Sequence, residues 1–147
     1  GILISSCENT PTALERITDK GVKVNIKSYN GKYLSSNWDE FIYADKDTAS
    51  TWEEFSVQAI KDNKYTFKAY TNRFLSADLG SEQEIESNRD NFSLWESFEL
   101  IEINDSTIAI KAANQKFVTI NPSNNRLYAI ADTISSNEHF ILILKND

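Results

Sequence analysis

The fold is decided by the stretch Ser50-Thr51-Trp52-Glu53-Glu54-Phe55-Ser56-Val57, because the chain returns to it twice. The second copy is Ser93-Leu94-Trp95-Glu96-Ser97-Phe98-Glu99-Leu100, and a more divergent third copy is Ser136-Asn137-Glu138-His139-Phe140-Ile141-Leu142. The step is 43 residues from Trp52 to Trp95 and 42 residues from Glu96 to Glu138. A fixed period of this length indicates one supersecondary unit present three times, whose copies bury their apolar faces by packing on one another.

Each unit contains four predicted β-strands. In the first unit, Val22, Val24 and Ile26 alternate with polar residues, which is typical of a strand with one buried face. The Asn30-Gly31 dipeptide that follows is a strong β-hairpin signal. The predicted strands are 22–27, 32–35, 41–44 and 53–60 in the first unit, 65–69, 73–76, 84–87 and 96–103 in the second, and 108–112, 116–119, 126–129 and 138–144 in the third.

Overlaying the three units predicts the core, because a position that is apolar or small in every copy has a shared reason to be buried. The equivalent sets are Ile26, Phe67 and Ile110; Tyr33, Phe74 and Phe117; Leu34, Leu75 and Val118; Ala44, Ser87 and Ala129; Phe55, Phe98 and Phe140; and Val57, Leu100 and Leu142. Twelve short strands in three such units predict an all-β chain with the β-trefoil architecture. Six strands then form a barrel and six form hairpins that cap one end, which removes exposed sheet edges.

Two acidic positions also occur in all three units. The first set is Asp47, Asp90 and Asp132, for which we predict a cap on the loop before the fourth strand, through bonds to backbone N–H groups. The second set is Glu53, Glu96 and Glu138, for which we predict either an ion pair with a nearby Lys or Arg or bonds from the backbone. A threefold device of this kind favours a structural role over a catalytic one.

The domain is predicted to span residues 21–147, preceded by an extension at 1–20. Within the extension, residues 11–20 are predicted to form a short helical turn capped by Thr12, with Glu15 three residues later. Ile4-Ser5-Ser6-Cys7 resembles a bacterial lipobox, in which the cysteine is lipidated. The alternative is an ordinary extension with one thiol. The lipobox interpretation predicts a secreted or surface-displayed bacterial protein.

Composition excludes several functions. The net charge of -7 argues against a nucleic-acid partner, because phosphate recognition needs clustered Lys and Arg. No stretch of 18 apolar residues is present, so no transmembrane segment is predicted. One cysteine and one histidine, Cys7 and His139, give no basis for a catalytic pair, a metal site or a cofactor site. The chain is therefore predicted not to be an enzyme.

A family resemblance rests on three motifs that occur in order. They are Gly31-Lys32-Tyr33-Leu34-Ser35, Ala44-Asp45-Lys46-Asp47 and Trp52-Glu53-Glu54-Phe55-Ser56-Val57, and the second unit repeats them as Arg73-Phe74-Leu75-Ser76, Asn88-Arg89-Asp90 and Trp95-Glu96-Ser97-Phe98. This pattern resembles the fascin-like β-trefoils of the actin-crosslinking-like superfamily. The third unit departs from it, with Ala131 and Asn137 in place of the basic residue and the tryptophan. The resemblance implies kinship with actin-bundling proteins, histidine-rich actin binders and carbohydrate modules attached to secreted bacterial glycosidases.

The predicted ligand-binding residues are those that break the repeat. Amphipathic rings at such places can stack on sugars or on protein partners, and neighbouring carboxylates can bond hydroxyl groups. The predicted set is Trp38, Asp39, Tyr43, Asp45, Tyr70, Phe92 and Tyr128. For Tyr43 and Tyr128 the alternative is packing at the end of the barrel. The favoured function is a non-catalytic binding module with a glycan ligand, with an attached or partner glycosidase as a further expectation; a protein-interaction module of the actin-binding kind is the alternative.

Overall fold

The computed structural model describes residues 10–78 and 83–145. Within those ranges it contains twelve β-strands, as the sequence predicts, and four 3-10 turns. The strands are β1 Val22–Ser28, β2 Tyr33–Ser36, β3 Ile42–Lys46, β4 Phe55–Ile60, β5 Lys64–Lys68, β6 Phe74–Ser76, β7 Glu86–Arg89, β8 Glu99–Glu102, β9 Thr107–Lys111, β10 Phe117–Ile120, β11 Leu127–Ala131 and β12 Phe140–Leu144. The 3-10 turns are Leu14–Arg16, Thr51–Glu53, Leu94–Glu96 and Ser136–Glu138.

Six of these strands close into a barrel. Antiparallel pairing runs from β12 to β1, β4 and β5, and again from β8 to β9 and β12. The remaining gap between β5 and β8 is closed by reciprocal backbone bonds of 2.8 Å between Tyr65 and Phe98. The predicted all-β trefoil is therefore confirmed.

The other six strands form three hairpins, β2–β3, β6–β7 and β10–β11, each with a register irregularity near its start. Isolated bridges join the hairpins in a circle. The first unit bridges the second through Phe41 and Glu86, the second bridges the third through Glu84 and Tyr128, and the third returns to the first through Arg126 and Tyr43. This circular linkage is the pseudo-threefold arrangement that the repeat predicts.

The predicted core is confirmed at most positions. Phe55, Phe98 and Phe140 are fully buried, and the predicted sets that begin with Ile26, Leu34 and Val57 join them in one cluster, together with Ala44 and Ala129. Phe74 and Ser87 are buried outside that cluster. The prediction is wrong for Tyr33 and Phe117, which are only half-buried. A lysine ammonium lies over the exposed face of each ring at this position, 4.9 Å from the Tyr33 centroid and 5.6 Å from the Phe117 centroid.

The fourth strand of each unit begins later than predicted, because the residues before it form a 3-10 turn. Glu53, Glu96 and Glu138 each end such a turn and are buried. In every copy the Glu side chain accepts a bond from the backbone N–H of a serine three residues earlier, and the serine side chain completes a capping box. The predicted structural role of these glutamates is thus confirmed. The third strand of the second unit is also shifted, to Glu86–Arg89, with residue 84 in an isolated bridge.

The repeated aspartates have a different partner from the predicted backbone N–H groups. Asp47 pairs with Lys32, Asp132 pairs with Lys116, and in the second unit Asp90 lies 3.1 Å from the Nε atom of Arg73. Each pair links the start of one hairpin strand to the loop after its partner strand. The aspartates therefore hold the hairpin ends together by charge.

The N-terminal turn is confirmed. The Thr12 N–H donates to Glu15 Oε1 at 2.9 Å, and the Glu15 N–H donates to Thr12 Oγ1 at 3.3 Å. This capping box positions Ala13 and Ile17 in the core cluster. Cys7 and the lipobox-like stretch lie outside the described residues. Among the residues described, no helix is long and apolar enough to cross a membrane.

Candidate functional site

Three aromatic side chains from three separate loops form a row on the surface. The Trp38 and Trp52 ring centroids are 4.8 Å apart, and the Trp52 and Tyr70 centroids are 5.4 Å apart. Both pairs meet edge to face, at interplanar angles of 66° and 67°. Trp38 is 82% exposed and Tyr70 is 52% exposed, so that the row presents apolar ring surface to solvent. We call these three residues the aromatic row.

Local backbone bonds fix each member of the row. Trp38 lies in the β2–β3 turn, where its backbone N–H donates to Asn37 Oδ1 at 2.8 Å. Trp52 is the middle residue of a capped 3-10 turn, and its carbonyl accepts a bond of 3.1 Å from the Ser36 hydroxyl. Tyr70 lies in the β5–β6 turn, which Asn72 closes with a positive φ of 70°. These bonds hold the backbone of the three turns from which the rings project.

A cleft of about 300 Å³ lies beside the row and is lined by Trp38 and Trp52. Its wall also carries the side chains of Asn37, Asp45 and Lys46. The Lys46 ammonium lies 4.0 Å from the Asp45 carboxylate, and both groups are partly exposed. The cleft therefore combines aromatic surface with donors and acceptors that suit hydroxyl groups. We call it the first cleft.

The buried carboxylate of Glu53 also lines the first cleft. Burial alone would raise its pKa, but hydrogen bonds from the Ser35 hydroxyl, at 2.7 Å, and from Ser50 outweigh that cost. The pKa of Glu53 consequently lies below its ordinary value. Both carboxylate oxygens of Glu53 thus already accept hydrogen bonds within the protein, Oε1 from Ser50 and Oε2 from Ser35.

Two predicted site residues, Asp39 and Tyr43, belong to a polar network where the first and third hairpins meet. The Tyr43 hydroxyl donates to Asp39 Oδ2 and accepts a bond of 3.2 Å from Arg126 Nε. The hydrogen bond to Asp39 is the largest cause of a raised Tyr43 pKa. Arg126 also pairs with Glu84 at 2.8 Å and lies 4.0 Å from the Phe41 ring centroid. Tyr43 still lines the first cleft, but Asp39 is engaged in this network and in a bond from the Phe41 N–H.

The structure separates the remaining predicted residues. Tyr128 is only 5% exposed and its hydroxyl accepts a bond of 2.8 Å from Asn124, which agrees with packing at the barrel end and leaves no surface for a ligand. Phe92 is exposed but lies in the second repeat, where its ring packs 5.2 Å from that of Phe74. Of the seven predicted residues, those at or beside the first cleft are Trp38, Asp39, Tyr43, Asp45 and Tyr70.

Sequence reasoning missed Trp52, the central ring of the row. Trp52 stands inside the repeated stretch and therefore reads as scaffold. The sequence did contain a signal, because the third copy has Asn137 at that position. The structure adds that the same capped turn still forms there. A residue that one copy of the turn can replace with asparagine is not required by the turn.

The residues described by the structure contain no group of three or more His, Cys, Asp or Glu side chains placed to hold a metal ion. The aromatic row and the first cleft together offer ring faces and hydrogen-bonding groups, which suit an organic ligand.

Solved structures with the same architecture include three informative examples. A designed threefold-symmetric protein, ThreeFoil, superposes with a TM-score of 0.73 at 10% identity, over 82% of this chain and 97% of that one. SeviL, solved with an asialo-GM1 saccharide bound, gives 0.70 at 16% identity, over 84% and 97% of the two chains. A Polyporus squamosus lectin, solved with a sialylated epitope, gives 0.70 at 13% identity, over 83% and 48%. At these identities the likeness shows the fold alone, and the fascin-like branch stays a prediction.

No curated protein matches the sequence. Residues 69–147, which include the second and third hairpins and the last barrel strands, match a sequence family described as Domain of unknown function (DUF7910). Since this match covers more than half of the chain, the protein is a member of the DUF7910 family.

Proposed function

We propose that this protein is a non-catalytic carbohydrate-binding module and that the aromatic row is its sugar-binding surface. The observation that carries the proposal is the contiguity of Trp38, Trp52 and Tyr70, which come from three loops and meet at centroid distances of 4.8 and 5.4 Å. Sugar rings have apolar faces of C–H groups that pack on aromatic rings, while their hydroxyls bond polar groups at the edge.

The shape of the row favours an extended ligand. Neighbouring rings are inclined at 66° and 67°, so the row is a ridge of alternating faces and edges. A ligand that lies along such a ridge contacts apolar surface at each step. This arrangement suits consecutive residues of a glycan chain.

The first cleft supplies the polar half of the recognition. Asn37, Asp45 and Lys46 line it beside Trp38 and Trp52, and they offer amide, carboxylate and ammonium groups. Aromatic contact with a few convergent polar groups is the usual composition of a small-ligand site. SeviL and the Polyporus squamosus lectin, both solved with saccharides bound, share the fold and lend the proposal general support, although fold alone does not determine function.

Secretion or surface display, and association with a glycosidase, are further parts of the proposal. They rest on the lipobox-like Ile4-Ser5-Ser6-Cys7 and on the family resemblance. Metabolic labelling with an alkyne-tagged fatty acid tests the first, because Cys7→Ser should remove the label if Cys7 is lipidated. Labelling that is absent, or unaffected by this change, would exclude lipidation at Cys7.

Affinity electrophoresis tests the binding proposal. The full chain is run through native gels that each contain one soluble polysaccharide: a β-1,3-glucan, a xylan, a galactomannan, a xyloglucan or a glycol chitin. We expect retardation in at least one gel. Truncating an aromatic anchor of a binding surface typically costs about 2 kcal/mol, which is roughly 30-fold in affinity, and we expect this for Trp38→Ala.

The matched control is Tyr29→Ala, because Tyr29 is an aromatic residue 43% exposed in the β1–β2 hairpin, outside the row. Tyr70→Ala should weaken retardation and Tyr29→Ala should not. Trp38→Phe, which keeps a ring, should retain most of the binding. Equal retardation of all four variants, or none of the wild-type protein in any gel, would refute the proposal.

A further inference from the structure

The second repeat contains its own cleft at the position equivalent to the first cleft. Its volume is about 530 Å³, and its wall includes the side chains of Asn88, Arg89, Asn91, Phe92 and Trp95. We call it the second cleft. It shares three parts with the first cleft, namely the end of a hairpin strand, the following loop and a capped 3-10 turn.

The two clefts have matching components. Trp95 occupies the middle of the Leu94–Glu96 turn, as Trp52 does in the turn Thr51–Glu53. Arg89 ends β7 at the place where Lys46 ends β3, so that each cleft has one tryptophan and one cation. These are the residues that the third repeat lacks, since Asn137 and Ala131 stand at the equivalent positions.

The third repeat shows that the fold does not require this pair. Glu138 there accepts bonds of 2.7 and 2.8 Å from the N–H and hydroxyl of Ser135, and the strand that follows has the expected register with β1. The turn and the barrel strand therefore form without a tryptophan and without the cation. The capping box and the Asp–Lys or Asp–Arg pair, in contrast, are present in all three copies.

A tryptophan and a cation are kept together in two repeats and are both absent from the third, although the turn forms in all three, so the pair points to a shared role beyond forming the turn. On the strength of the proposed function, we infer that the second cleft is a second sugar-binding site and that one chain binds two glycan segments. Trp95 supplies the stacking surface, and the exposed Asn91 side chain supplies an amide that can bond hydroxyls.

The chemistry of the second cleft also differs from that of the first. Arg89 pairs with Asp78 and lies 3.6 Å from Glu96, which fixes its planar guanidinium in the wall. Phe92 is 41% exposed and adds a second ring, but the position that matches Tyr70 is Ala113. The second cleft consequently lacks a three-ring row, and we assign to it a shorter ligand, a single sugar residue, in contrast to the chain segment of the first.

Two sites on one rigid barrel have a functional consequence. A glycan surface that engages both sites is held by an effective local concentration, so that its affinity exceeds that of either site alone. One protein molecule with two sites can likewise cross-link two molecules of a soluble polysaccharide. The structure thus assigns to this module a capacity for bivalent attachment.

Isothermal titration calorimetry on the full chain tests the inference, with pentasaccharides of β-1,3-glucan, xylan, mannan and chitin as probes. The variants are Trp52→Asn and Trp95→Asn, because the third repeat already shows that asparagine fits this turn. We expect two sites per chain in the wild type and one in Trp95→Asn, with the remaining Kd changed less than twofold. Trp52→Asn should leave only the other site, and the double variant should show none, whereas Asn137→Ala should keep both.

The outcomes separate the two claims. One site per chain that is lost in Trp52→Asn and untouched in Trp95→Asn would overturn the second site and leave the proposed function standing. Two sites that both survive Trp95→Asn would overturn the assignment to this cleft. No heat with any pentasaccharide would overturn the inference together with the proposed function.

Discussion

Replacing Glu138 by alanine should destabilise the barrel without touching either proposed sugar site. Oε1 of this buried carboxylate accepts bonds from the Ser135 N–H at 2.7 Å and the Ser135 hydroxyl at 2.8 Å. Oε2 accepts a third bond of 2.7 Å from the Thr119 hydroxyl in β10. Glu138 therefore ties the last 3-10 turn to the third hairpin, in the one repeat that lacks the tryptophan and the cation.

The magnitude follows from these three bonds. A capping interaction contributes about 1 kcal/mol, and hydrogen bonds to a charged group contribute roughly 1.5–3 kcal/mol each. Removing the carboxylate also removes the cost of burying it, so the total is smaller than the sum. We expect Glu138→Ala to lower the free energy of unfolding by about 3 kcal/mol, which for a chain of this length lowers Tm by roughly 6–12 °C.

Urea unfolding followed by tryptophan fluorescence measures this effect. The control is Asn137→Ala, an exposed residue in the same turn, which should change the free energy of unfolding by less than about 0.5 kcal/mol. Glu138→Gln keeps one acceptor oxygen, and its free energy of unfolding should lie between those of Glu138→Ala and Asn137→Ala. If Glu138→Ala is as stable as Asn137→Ala, the buried carboxylate does not secure the turn and the reasoning is refuted.

Other predictions concern charge and packing. Because the pKa of Glu53 is lowered in the folded protein, its contribution to stability is present above the ordinary value of 4.5 and is lost as pH falls through the lower folded value. The urea midpoints of Glu53→Gln and wild type should therefore differ at about pH 7 and draw together as pH falls below 4.5, and a gap that does not narrow would contradict this. Lys116→Ala removes the pair with Asp132, and because exposed ion pairs contribute little to stability it should cost less than about 1 kcal/mol; a larger loss in urea unfolding would contradict this. Phe140→Ala opens a cavity in the core and should cost about 3–5 kcal/mol, and a loss below about 1 kcal/mol would contradict the closed barrel.

The fold was predictable because the sequence contains three copies of the same four-stranded unit. Phe55, Phe98 and Phe140 recur at a fixed spacing at or next to the start of the fourth strand of each unit, and all three are buried in the structure. The starts of those strands were less predictable, since the preceding glutamates read as strand residues until the capping boxes are seen. The ion pairs of the repeated aspartates were missed for a similar reason, because Lys32 lies fifteen residues before Asp47 and meets it only through the hairpin.

The candidate site was only partly predictable. Trp38 and Tyr70 stand out because they break the repeat, and the structure brings both to the aromatic row. Trp52 links them, yet it lies within the repeated stretch, and nothing in the sequence shows that these three loops converge. Tyr128 breaks the repeat as Trp38 does, but the circular linkage of the hairpins places it inside the cap.

The most direct test of the central claim is an NMR titration of the tryptophan indole N–H groups. The chain has three tryptophans, and single replacements assign their signals to Trp38, Trp52 and Trp95. On titration with the polysaccharide fragment that binds in affinity gels, the Trp38 and Trp52 signals should shift and saturate together with binding. A fragment that binds to saturation while both of these signals stay in place would contradict the claim that the aromatic row is the sugar-binding surface.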